Sequence, residues 1–150
     1  MQRSITYKRV ISNFFYLTLF VVYESLSSIY LFLPPLFALL YILMSEAFRK
    51  NDYLSLFFIS LMLLFFEADK GYLVFSSIIY FIVVYRFVMP KITQNFSCYC
   101  CVNFSYVIFA YIGFFIFSQL LSSVFLTVEP NMNYYIIYYI VIEFFLLSIL

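Results

Sequence analysis

The 150 residues are 67% hydrophobic and only 10% charged, with a net charge of +1. A soluble domain covers itself with roughly 25% charged residues, so this composition excludes a soluble body and, more firmly, a disordered one. It leaves an integral membrane protein whose surroundings are lipid.

A bilayer core of roughly 30 Å takes about 20 helical residues. Charges and prolines divide the chain into six apolar segments, at about 10–27, 31–48, 52–66, 72–89, 103–126 and 134–150. They predict one all-α, polytopic membrane domain of six transmembrane helices. The segments are continuously apolar, whereas a membrane barrel needs alternation. Short connections predict that sequence neighbours pack as antiparallel hairpins.

The first segment follows Arg3, Lys8 and Arg9. No A-x-A cleavage pattern follows it, so it reads as a retained signal anchor. Glu24 closes it beside Ser25, Ser27 and Ser28, which suggests a hydrated outer end. Pro34 and Pro35 open the second segment, since proline is tolerated in a helix's first turn. Residues 25–33 then become an outer connection. The third segment, at about 15 residues, reaches only about 22 Å. It extends through Ala68 or the membrane thins around it.

Glu67-Ala68-Asp69-Lys70-Gly71 forms the turn into the fourth segment, which Pro90 ends. The two acids suit a weak cation site or a partner contact, although Asp, Lys and Gly are also ordinary turn residues. Cys98, Cys100 and Cys101 follow in a loop on the basic side. C-x-C-C lacks zinc or redox spacing, and a reducing compartment argues against a disulfide.

The fifth segment carries Ser118, Gln119, Ser122 and Ser123, with Ala110 and Gly113 permitting close helix approach. Gln119, Ser122 and Ser123 form an i, i+3, i+4 polar face for helix–helix hydrogen bonding or a small-molecule cavity. Pro130 ends this region. In the sixth segment Glu143 is stranded among aliphatic residues and Phe, at an insertion cost of about 2.5–3.5 kcal/mol. Tyr135, Tyr139 and Glu143 share one helical stripe at i, i+4, i+8, a candidate hydrogen-bonded ladder. Its alternatives are a proton-linked or ligand-facing site and a protonated structural carboxyl that glues helices together.

Charge placement predicts orientation. With the N-terminus inside, the inner regions hold Arg3, Lys8, Arg9, Arg49, Lys50, Arg86 and Lys91, and the outer ones Lys70 alone. This positive-inside bias puts both termini in the cytoplasm. Glu24, Glu67, Asp69 and Glu129 fall outside, and Glu46 and Asp52 flank an inner loop.

Catalytic equipment is sparse. There is no His, which removes Ser-His-Asp and Cys-His catalysis and the usual zinc sites. Glycine occurs only at 71 and 113, so no phosphate loop for a nucleotide exists. The net charge offers no basic surface for nucleic acid. No cofactor, metal or enzymatic activity is expected.

Two stretches carry a family resemblance. Glu24-Ser25-Leu26 precedes Pro34-Pro35-Leu36-Phe37-Ala38-Leu39-Leu40-Tyr41, and later comes Leu63-Leu64-Phe65-Phe66-Glu67-Ala68-Asp69-Lys70-Gly71. The chain resembles the MreD family of rod-shape-determining membrane proteins over roughly residues 20–90. It departs by lacking the family's glycines in the third span, and by Glu24 and Leu36 standing where Gln and Asp are common. The resemblance implies a non-enzymatic scaffold of the bacterial inner membrane. Its partners would be a single-span MreC-like protein, MreB and the peptidoglycan synthase pair of the elongation machinery. Glu24, Pro34, Pro35, Glu67, Asp69 and Gly71 would be periplasmic contact residues. The alternative reading is a substrate-binding subunit of an energy-coupling-factor transporter, with Gln119, Ser122, Ser123 and Glu143 lining the site.

Overall fold

The computed structural model describes residues 2–95, 98–126 and 134–149. Glu129 and Pro130 lie outside them, as do the side chains of Arg3, Lys8, Arg9 and Cys100. Six continuous helices and no strand occur among the described residues. They are α1 (Gln2–Ile29), α2 (Phe37–Lys50), α3 (Tyr53–Lys70), α4 (Ser76–Asn95), α5 (residues 99–125) and α6 (Tyr135–Ile149). The all-α expectation holds. Three stretches are long and apolar enough to cross a membrane: Val10–Ile29, Ser76–Asn95 and Cys101–Phe125. By contrast, α2 has 14 residues and α6 has 15, although both are apolar. A 14-residue helix reaches only about 21 Å. In α3, Glu67, Asp69 and Lys70 crowd the last turn.

The elements differ from the expected segments where local chemistry overrides hydropathy. Helix α1 runs to Ile29 instead of yielding at Ser25. The Ser25 hydroxyl returns to Val21 O at 2.8 Å, so the serines decorate the helix without ending it. Helix α2 starts at Phe37, after Leu36 has taken a left-handed conformation at φ 52°. Helix α3 continues to Lys70 and stops at Gly71, whose φ of 73° suits a residue without a Cβ. Pro90 does not end α4. A π-helical turn at Val84–Val88 precedes it, and the Met89 N–H reaches back to Val84 O. The widened turn makes room for the proline ring, and the helix runs on to Asn95.

Sequence neighbours do not all pair. Helix α1 packs chiefly on α3 rather than on α2. Helix α2 sits centrally against α3, α5 and α6, so the chain's shortest helix is its best buried. Phe37 anchors this centre, with ring centroids 4.7 Å from Phe66 and 4.8 Å from both Phe81 and Phe114. Such aromatic pairs add about 0.5–1.5 kcal/mol each beyond burial. The neighbouring Tyr41 hydroxyl is buried without a hydrogen-bond partner among the described residues.

Helices α4 and α5 meet closely at Gly113. A second π-helical turn, Phe109–Gly113, breaks α5 there, and the Tyr80 hydroxyl donates to Phe109 O at 2.6 Å. A Cβ on Gly113 would collide with that hydroxyl. Gly113→Ala is therefore expected to destabilise by about 1–3 kcal/mol, as overpacking does. Thermal unfolding in detergent micelles measures the loss, and Tyr80→Phe in the same chain should restore part of it.

Candidate functional site

Three acids are withdrawn from solvent: Glu24 and Glu67 are 0% exposed and Glu143 is 1% exposed. Glu67 and Glu143 are hydrogen-bonded by sets of donors, whereas Glu24 has no hydrogen-bond partner among the described residues and is met only by the Lys70 ammonium.

Glu143 serves the start of α2. Its Oε2 accepts the Ala38 N–H at 2.9 Å, in the first turn of α2. Its Oε1 accepts the Tyr111 hydroxyl from α5. The first N–H groups of any helix lack intrahelical partners. Here the helix cannot cap itself, because Leu36 at the cap position has no acceptor and makes no side-chain bond. A carboxyl from a distant helix supplies it, and the helix dipole favours negative charge there. The geometry matches the helix-gluing alternative. The expected ladder does not form. The Tyr139 hydroxyl donates to Leu31 O at 2.7 Å, and Tyr135 is exposed, stacking on Tyr139. Side chains on a helix lean towards its N-terminus, so both tyrosines reach away from Glu143.

The connection 30–36 is closed by hydroxyls in the same region. Tyr23 donates to Pro34 O at 2.7 Å and Ser27 to Leu33 O at 3.0 Å, alongside the Tyr139 bond to Leu31 O. Three carbonyls of this irregular segment, at Leu31, Leu33 and Pro34, are thus satisfied by α1 and α6. Pro34 and Pro35 are themselves buried. They therefore pack inside the fold and present no outward contact surface.

Glu67 repeats the same device one hairpin later. It accepts the N–H groups of Phe75 at 2.7 Å and Ser77 at 2.5 Å, and the hydroxyls of Ser76 at 3.1 Å and Ser77 at 2.6 Å. These donors open α4. Phe75, at its cap position, is left-handed with φ 68°, as Leu36 is before α2. Glu67 and Asp69 are thus separated in role. Two residues apart on a helix they face different ways, and only Asp69 is exposed.

Glu24 is not a hydrated helix end. Lys70 reaches it from α3, with Nζ 3.3 Å from Oε1. The same ammonium lies 3.2 Å from Asp69 and donates to Ser28 at 3.0 Å, while the Ser28 hydroxyl donates to Asp69. The serines that suggested hydration belong to a network that closes over the glutamate. Burying a carboxylate requires such a partner.

The polar face of α5 is divided. Gln119 is exposed while Ser118 and Ser122 are buried. The hydroxyls of Ser118 and Ser123 return to Phe115 O and Leu120 O of their own helix. Ala110 is buried and Gly113 makes the close approach described above. Cys98 and Cys101 are exposed at the start of α5. Among the described residues no group of three His, Cys, Asp or Glu side chains could hold a metal.

Sequence reasoning missed Tyr111, Tyr23, Ser76 and Ser77. The adjacent Ser76 and Ser77 opening an apolar run carried a readable helix-start signal. Tyr111 carried none, being one of 16 tyrosines. The arrangement as a whole satisfies backbone at interrupted helices, and every group reaching Glu67 and Glu143 is a donor. The chain matches no protein-family model, no curated protein and no solved structure.

Proposed function

We propose that this protein is a non-enzymatic, multi-pass scaffold of the bacterial inner membrane that serves the cell-elongation machinery, as the MreD resemblance implies. In this reading it crosses the bilayer six times with both termini cytoplasmic. Arg49 and Lys50 close α2 on the side read as cytoplasmic, and Lys70 alone closes α3 on the opposite side, in keeping with the positive-inside pattern. The short α2 does not need to reach across alone. Irregular backbone is tolerated at membrane depth only where protein satisfies it, and Tyr23, Ser27, Tyr139 and Glu143 do so at 31–38.

The observation that carries the proposal is how the buried acids are used. Glu67 and Glu143 are engaged by helix starts, and Glu24 by Lys70. Among the described residues that leaves no acid free beside a nucleophile, and it leaves apolar helix faces as the working surface. Helix α1 exposes Ile11, Phe14, Phe15, Leu19 and Val22, a face open to lipid or to a single-span partner such as an MreC-like protein. The transporter alternative needs Glu143 and Gln119 in one ligand site. It is disfavoured by the engagement of Glu143 and the exposure of Gln119.

Depletion in a rod-shaped host that depends on the gene tests the proposal. Rounded cells and co-purification of an MreC-like protein are expected. Normal rods after clean deletion overturn it.

A further inference from the structure

We propose that the cleft between α1, α2 and α3 holds one zwitterionic aminophospholipid, its chain in the cleft and its headgroup at the α2–α3 corner. The inference rests on the membrane reading alone, not on a role in cell elongation.

The cleft has a volume of about 400 Å³, within the roughly 300–1,000 Å³ usual for ligand sites. Its floor is apolar and buried, formed by Phe20, Leu40, Ile59 and Met62. Its mouth is framed by Tyr16 and Leu43, both exposed on the outer surface of the helices. A ligand therefore enters sideways from the bilayer, without passing through water.

All the charge in the lining lies at one end. Glu46, Lys50 and Asp52 line that end, where α2 hands over to α3. With the adjacent Arg49, this end carries two acids and two bases. Glu46 lies 3.2 Å from Lys50 and 3.6 Å from Arg49, and Asp52 accepts from Ser55 at 3.1 Å. The acids can meet an ammonium group and the bases a phosphate. An aminophospholipid offers both charges on one headgroup above its acyl chains. An anionic phospholipid offers only negative charge and leaves Glu46 and Asp52 unmatched. A partner helix would fill the apolar floor but leave the charged end unmatched.

The test is native mass spectrometry of the full chain from micelles with equal phosphatidylethanolamine and phosphatidylglycerol. One phosphatidylethanolamine per chain is expected to persist. Glu46→Gln with Asp52→Asn should lower its preference over phosphatidylglycerol about tenfold, equivalent to about 1.4 kcal/mol. Asn at 52 can still cap α3, so the fold is kept. Leu43→Trp at the mouth should remove the lipid in a chain with an unchanged melting temperature. Equal retention of both lipids, no retained lipid, or occupancy by a second copy of the chain overturns the proposal. Failure of the chain to fractionate with membranes would instead overturn the membrane reading beneath it.

Discussion

Glu143→Ala is expected to lower stability by about 2–5 kcal/mol, since each buried donor left without its acceptor costs about 1–3 kcal/mol. The substitution leaves the Ala38 N–H and the Tyr111 hydroxyl without their acceptor. No neighbour can replace it, since Leu36 precedes the helix and the connection behind it is already committed. Glu143→Gln keeps a carbonyl oxygen but turns an amide donor towards other donors. It should cost less, about 1–3 kcal/mol. Equilibrium unfolding in detergent micelles measures both. Hydrogen exchange should place the effect at Ala38, in the first turn of α2. A loss below about 1 kcal/mol for Glu143→Ala would show that α2 does not depend on the carboxyl.

Glu67 and Asp69 give the second large contrast. Glu67→Ala removes the acceptor of four hydrogen bonds and should destabilise by about 2–4 kcal/mol. Asp69→Ala removes the Lys70 and Ser28 contacts but leaves the Lys70–Glu24 pair in place and should stay within about 1 kcal/mol. The same unfolding measurement on both variants decides the matter. Equal effects would contradict the inward and outward assignment. Asp69 stands with Lys70 and Ser28, while Glu67 acts on the shape of the turn beneath it.

Much of the helical layout was legible because charge and proline punctuate hydropathy. Glu143 was legible as an anomaly, since an acid inside an apolar run demands a partner. What its partner was could not be read, because Ala38 is 105 positions away. Glu24 misled for the same reason. Its neighbouring serines are local and polar, whereas its burial depends on Lys70 from another helix. Pro90 misled because a widened turn absorbs its ring, and a π turn leaves no mark in composition. The cleft at Asp52 was not foreseen, since its polar end looked like a loop. The resemblance pointed to Pro34 and Glu67, whose burial makes them shapers of the turns they occupy.

The two carboxyl caps differ in when they can close during synthesis. Glu67 is eight to ten positions ahead of the groups it binds. Its lock can form as soon as α4 leaves the ribosome and enters the membrane. The lock on α2 waits for α6, whose Glu143 follows Ala38 by 105 positions. Until then the most central helix of the mature fold has an open end. The N-terminal half is therefore committed late, and a nascent chain stalled before α6 exposes a bare helix start to whatever acceptor is nearby.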